Sequence, residues 1–317
     1  MRSMTYRTVL SMAVVMTAVF ALASCVSGIT PLKIAPSGQH IPERVDFLYY
    51  DDSVKVTFKQ QSANIYKYEG KRLTENDAVR LFQNAGGVAL EGDLLVVSEQ
   101  DRISIEGDGE YFFLERDTGR FCYSKRDKVY SPYIDGNPAN GVKVLVGEER
   151  ARELAESFLL ANDLLPSDFH FSKASTNYVE TEGITIPTNI TVFFNRRVEE
   201  RNVYGVSRIV VTVGHQGEIE EVLKLHNDIV PFRTVNLRPI TDAFEDVKQR
   251  RASITFDGPI GNAHVTRVEL AYYEDSVPLE EQPYMQPIYV FWGVVEDHEQ
   301  LGEVWNAIVP AIDYHKH

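Results

Sequence analysis

Two hydrophobic periods alternate along this chain. From Val45, "VDFLYY" and "VKVTFKQQSANIYKYEG" alternate apolar with polar positions and are rich in β-branched and aromatic residues, which predicts strands. The stretch "LTENDAVRLFQNAGG" changes to the helical period. Thr74 is a good N-cap with Asp77 three residues on, Ala78, Leu81 and Phe82 share a side, and Gly86-Gly87 stops the run. Residues 94–125 return to short strands, broken at Gly107-Asp108-Gly109 and Asp117-Thr118-Gly119. The same order then recurs. Ala151, Leu154, Ala155, Phe158 and Leu159 predict a second helix ending before Pro166, and four strands follow, with Gly214-His215-Gln216-Gly217 turning between the last two. A third round opens at Pro239 and Thr241, with Ala243, Phe244 and Val247 on the apolar side, and closes in three more strands. Helix followed by antiparallel strands is not βαβ alternation. It predicts an α+β class of two or three repeated units, each one helix packed on a curved antiparallel sheet.

The N-terminus has a different character. Arg2 and Arg7 precede the uncharged run "VLSMAVVMTAVFALA", which is too short to span a bilayer comfortably and has the order of an export signal. It ends in Leu22-Ala23-Ser24-Cys25, which resembles the lipobox of bacterial lipoproteins. That resemblance implies a diacylglyceryl thioether on Cys25, cleavage before it, and stable anchoring, since two or more acyl chains hold where one does not. Residues 1–24 are then a lipoprotein signal peptide. Residues 25–43, "CVSGITPLKIAPSGQHIPE", with Gly, Ser and three prolines, read as a flexible tether. The folded part divides into an N-terminal α+β unit at 44–146, a middle unit at 147–237 and a C-terminal unit at 238–317. The expected location is a cell membrane or outer membrane, lipid-anchored and facing the extracytoplasmic side.

Charge narrows the partners. Cleavage removes two arginines and no acid, leaving 30 basic against 46 acidic residues, a net charge near −16. Nucleic acid, which needs a basic footprint, is excluded as a partner, and the body is expected to stand off anionic lipid. Cys122 is the one other thiol and reads as a small buried hydrophobe in an alternating stretch.

The middle unit resembles PepSY and fungalysin-type propeptide domains. The likeness rests on Phe193, Phe194, Arg196, Val203, Tyr204, Gly205, Val211, Val213, Gly217 and Glu218: an aromatic-Arg strand, a polar turn, a Val-Tyr-Gly step, and a Gly-Glu turn into the next strand. The last unit is similar to a segment of YycH/YycI-type regulators, through Pro287, Tyr289, Phe291 and Gly293. These resemblances cover roughly residues 148–312 and imply a PepSY/cystatin-like shape, a helix packed on a curved sheet. They imply a role in inhibiting or chaperoning a peptidase, or in restraining a sensor kinase. No peptidase domain follows the propeptide-like unit here.

Chemistry is sparse. There is no His-Glu-x-x-His, Gly-x-Ser-x-Gly, phosphate-cradling loop or Cys-x-x-Cys, so no catalytic residue, metal or cofactor is expected. His315 and His317 with Asp313 read as a frayed tail, His215 as a solvated turn residue, and His170 and His226 as hydrogen-bonded structural residues. The acid pairs Asp51-Asp52, Glu199-Glu200, Glu274-Asp275 and Glu280-Glu281 read as solvated turns, and support an envelope-polymer hydrolase as the alternative function. A small-ligand-binding lipoprotein is the third reading. Arg196-Arg197 and Arg250-Arg251 concentrate positive charge and suit a docking patch for an acidic partner; Arg196 and Arg197 fall on opposite faces of a regular strand, and one of them suits an ion pair with a neighbour such as Glu199. Tyr284, Tyr289, Phe291 and Trp292 form an aromatic group in which Tyr289 and Phe291 share one face and Trp292 takes the other. The leading expectation is a non-enzymatic, lipid-anchored envelope protein with a protein-binding or regulatory role and an envelope protein as partner.

Overall fold

A computed structural model of the chain describes residues 29–34, 44–49, 53–88, 94–125, 133–134, 137–138, 145–181 and 184–314. Cys25, the signal peptide, Asp51-Asp52, His315 and His317 lie outside the described residues.

In chain order the strands and helices begin with β1 (Asp46–Leu48), β2 (Lys55–Val56), β3 (Ser62–Tyr68) and α1 (Glu75–Asn84). Then come β4 (Leu95–Ser98), β5 (Arg102–Gly107), β6 (Glu110–Glu115), β7 (Phe121–Lys125), the small hairpin β8 (Tyr133–Ile134) and β9 (Asn137–Pro138), and α2 (Glu148–Ala161). The next group is β10 (Phe169–Thr181), β11 (Ile184–Val198), β12 (Arg201–Gly205), β13 (Arg208–Val213), β14 (Ile219–Leu225) and β15 (Ile229–Asn236). The chain closes with α3 (Ile240–Lys248), β16 (Ser253–Phe256), β17 (Asn262–Glu274), β18 (Tyr284–Val295) and β19 (Trp305–Pro310). Each α-helix falls where the 3.6-residue period placed it. In α1, Thr74 accepts from the Asp77 amide while the Asp77 carboxylate accepts from the Thr74 amide, a closed capping box.

The chain forms two compact units from interleaved segments. One takes Met1–Ile65, Phe232–Leu270 and Glu280–His317; the other takes Tyr66–Pro231 and Ala271–Leu279. In the second unit, eight strands pair antiparallel in the order β4-β5-β6-β7-β14-β13-β11-β10. Its core takes Ala78 and Phe82 from α1, Ala151, Ala155 and Leu159 from α2, and inward residues such as Phe112, Tyr123, Val192, Phe194 and Val211 from the strands. Alternation along the strands sends every second side chain into that core. β12 leaves the end of β11 and pairs in parallel with the last residues of β17, Val203 opposite Tyr272 and Gly205 opposite Glu274.

In the first unit, β1 and β2 each pair in parallel with β17, while β16 and β18 pair antiparallel with β19. Ala243, Phe244 and Val247 of α3 bury against Phe47, Tyr289, Phe291 and Trp305. A smaller cluster joins Ile29, Ile65, Val235 and Ile312, so part of the stretch read as a tether is packed.

These pairings correct the expected fold class. Strand takes half of the structure and helix only 15 %. The chain is not a series of helix-on-sheet repeats. Strands of the first and second rounds share one sheet through β7 and β14, with Cys122 opposite Leu223, and their two helices share one core. Parallel pairs onto β17 make the strand arrangement mixed. Local periodicity sets where strands lie; it does not select which distant strand each one joins.

Candidate functional site

The densest chemistry lies where β10, β11 and β12 meet in the second unit. β11 turns into β12 through Glu199 and Glu200, both with positive φ (51° and 61°), between the paired residues Val198 and Arg201. Two left-handed residues in a two-residue loop match the twist of a hairpin, although Asn-Gly is the usual choice there. Here Glu199 secures the turn. Its carboxylate accepts from Tyr66 Oη at 2.7 Å and Tyr272 Oη at 3.1 Å, and pairs with Arg201.

Regular alternation in β11 separates the two arginines as the sequence pattern predicts: Arg196 is buried and Arg197 exposed. Arg196 lies over Phe169, donates to Asp168 at 2.7 Å and to the Asn227 carbonyl at 2.8 Å, and approaches Glu274 at 3.3 Å. Glu274 is fully buried and meets Arg120 on its other oxygen, also at 3.3 Å. The Asn227 backbone and side-chain amides donate to that same oxygen at 2.7 and 3.0 Å. Burial pushes the Glu274 carboxyl up from its ordinary range, while the two guanidiniums and the Asn227 amide pull it back. These neighbours are all hydrogen-bond donors, so the arrangement suits a carboxylate. Gly205 is required beside it, because a Cβ there would stand 2.0 Å from the Glu274 carbonyl oxygen and its φ is 92°.

The opposite face of the same strands forms a polar cleft of about 350 Å³, lined by His170, Phe171, Ser172, Asn195, Arg196, Arg197, Asn202, Val203 and Tyr204. Cross-strand register builds it. His170 pairs with Asn195, Asn195 with Arg208, and Arg197 with Asn202, which puts these side chains on one face. A register shift at Ser172 adds a β-bulge, and Asn195 Nδ2 donates to Ser172 Oγ at 3.0 Å. Arg208 reaches the carbonyls of Gly205 (2.9 Å) and Val206 (3.3 Å). Among the described residues neither Arg197 nor Arg208 nor Lys173, whose ammonium lies 5.0 Å from the Phe193 ring centre, makes an ion pair. Among the described residues no carboxylate lines the cleft. Its amides, hydroxyls and guanidinium are donors suited to an anionic group.

The remaining candidates lie elsewhere. In the first unit, Tyr289 and Phe291 are core residues, 2 % and 0 % exposed. Trp292 takes the other face under the Arg267 guanidinium, 4.8 Å from its ring centre, and Arg267 is itself held by Glu303 at 2.7 Å. Tyr284 packs on Phe232 with ring centres 4.9 Å apart. Arg251 pairs with Asp246 and Arg250 donates to the Val45 carbonyl. Burial, then the charge of Glu221, raises the Cys122 thiol to about 11, so it stays protonated at neutral pH. His226 is buried against Phe169, ring centres 4.6 Å apart. Glu280 and Glu281 are both exposed. Among the described residues no group of three or more His, Cys, Asp or Glu could hold a metal, and no helix is long and apolar enough to cross a membrane.

Sequence reasoning selected Arg196 and Arg197 but missed His170, Asn195, Asn202 and Arg208 as their neighbours. Asn195 was legible as the residue two before Arg197 on the same strand face. The others depend on register across strands.

No family model matches the chain, and no curated protein matches it. Among solved structures, it is similar at low identity to the following two. One is an uncharacterized protein from Eubacterium rectale, 10 % identical over 85 % of this chain and 88 % of that one, with a TM-score of 0.42. The other is the Bacillus megaterium YpeB C-terminal domain, 10 % identical over 77 % of this chain and 96 % of that one, with a TM-score of 0.37.

Proposed function

We propose that this chain is an exported, lipid-anchored envelope protein with a protein-binding or regulatory role, which engages its partner through the cleft of the second unit. The observation that carries this reading is Arg197 in a concave polar site, with neither an ion pair to it nor a carboxylate in the lining among the described residues. Concave sites with a few convergent polar groups are the usual places for recognition. The acid pairs give the hydrolase reading little support. Glu274 is held between two arginines and Glu199 between two tyrosines and an arginine, so neither is placed to act on a substrate.

Two measurements test the proposal. A photo-cross-linker at Asn202 in intact cells is expected to trap one defined protein, and Arg197→Glu is expected to abolish that adduct. An adduct pattern unchanged by Arg197→Glu removes the cleft as the binding site. For the anchor, Cys25→Ala is expected to release the protein from the membrane fraction; retention would show that the leader, not a lipid, holds it.

A further inference from the structure

Resting on the reading of this chain as a binding protein, we infer that the cleft receives a carboxylate side chain of an acidic peptide segment on the partner, with Arg197 as the primary contact. The first ground is local. Arg197 projects from the exposed face of β11, its cross-strand neighbour Asn202 shares that face, and His170 pairs with Asn195 on the adjoining strand. A guanidinium with adjacent carboxamides presents planar donors, the geometry that matches a carboxylate fork. Arg208 and Lys173 extend the positive surface to either side on the paired strands, each without an ion pair among the described residues. Arg196 contributes little charge, since Asp168 and Glu274 already neutralise it.

The second ground is global. The chain carries 46 acidic against 32 basic residues. An acidic segment is repelled by most of such a surface and attracted where cations stand without counter-charge. Repulsion elsewhere therefore works as selection for this one register, which is how specificity is set against wrong placements. The cleft volume of about 350 Å³ lies at the small end of ligand sites, fitting one or two side chains better than a large cofactor.

The test uses the full chain purified in detergent. A peptide of four glutamates, glutarate and inorganic phosphate are titrated by calorimetry at low and moderate salt. The glutamate peptide is expected to bind, glutarate to compete with it, and Arg197→Glu to weaken binding by about tenfold or more, as the loss of a charge-assisted contact requires. Unchanged thermal unfolding of Arg197→Glu shows that the fold is intact, and Arg197→Lys is expected to restore only part of the affinity, because an ammonium lacks the planar fork. Three results would overturn the inference: no binding of the peptide, equal binding by Arg197→Glu, or phosphate binding tightly with glutarate inert. Any of these together with an Arg197-dependent cross-linked partner would refute the carboxylate occupant and leave the binding role standing. Failure of both experiments would remove both.

Discussion

Glu274 shows how one residue can hold several elements. Two buried guanidiniums and the Asn227 amide converge on it, so removing it leaves buried Arg120 without its carboxylate and Arg196 with Asp168 alone. Breaking a buried ion pair from one side costs about 3–5 kcal/mol, and Glu274→Ala is expected to lower stability by that order in urea unfolding. A loss below about 1 kcal/mol would mean that the arginines find other partners on the scale of an ordinary surface change. His226 gives a pH dependence of known sign. Burial, then the charges of Lys224 and Arg196, hold its imidazole well below its ordinary value, and Lys71 adds to this. The folded protein keeps His226 neutral while the unfolded chain takes up a proton near pH ~6.5. The unfolded state then binds more protons as pH falls below about 6.5, so stability falls with it. The urea midpoint is expected to drop between about pH 6.5 and 5, and His226→Leu to flatten that slope; an unaltered slope would place its origin elsewhere.

At the scale of elements, the β11–β12 turn carries strain that can be relieved. Glu200 sits at φ 61° with an exposed side chain, whereas Glu199 is tied to Tyr66 and Tyr272. Glu200→Gly is expected to stabilise the protein by up to about 1 kcal/mol, read as a higher urea midpoint, because glycine accepts that backbone region freely. Glu199→Gly is expected to do the opposite, since it removes the carboxylate that secures the loop. These elements also mark how far the sequence can be read. Helix positions were legible because Ala78 and Phe82, or Ala151, Ala155 and Leu159, repeat at the helical period and need no knowledge of what they touch. The opposite facing of Arg196 and Arg197 was legible for the same reason. Pairing was not. Nothing local to "FCYSK" says that Cys122 lies opposite Leu223, and nothing local to His170 announces the bulge at Ser172 that sets it beside Asn195. Repeated local grammar therefore suggested repeated units, while long-range register built one shared sheet.

For the molecule as a whole, the segment boundaries matter more than the helix count. Residues 66–231 contain α1, α2 and all eight strands of the second unit's antiparallel sheet, yet that unit also takes Ala271–Leu279. A fragment 66–231 is expected to be far more susceptible to protease than the whole chain, because Arg120 and Arg196 lose Glu274. Joining residues 271–279 back through a flexible linker is expected to recover protection, and a fully resistant 66–231 fragment would show that the added segment is dispensable. The acidic balance acts at this scale too. It repels anionic surfaces in general, and under the proposed function it favours the β10–β12 face for an acidic chain.

The bond between Arg120 and Glu274 spans 154 positions of chain. At a synthesis rate of about 5–20 residues per second, the first partner waits roughly 8–30 s for the second. From residue 225 onward the second unit has its two helices and all eight sheet strands in hand and its central anion missing. The polar core of this unit therefore cannot close until Glu274 has been made, and a nascent chain that stops short of residue 274 is expected to leave Arg120 without its carboxylate.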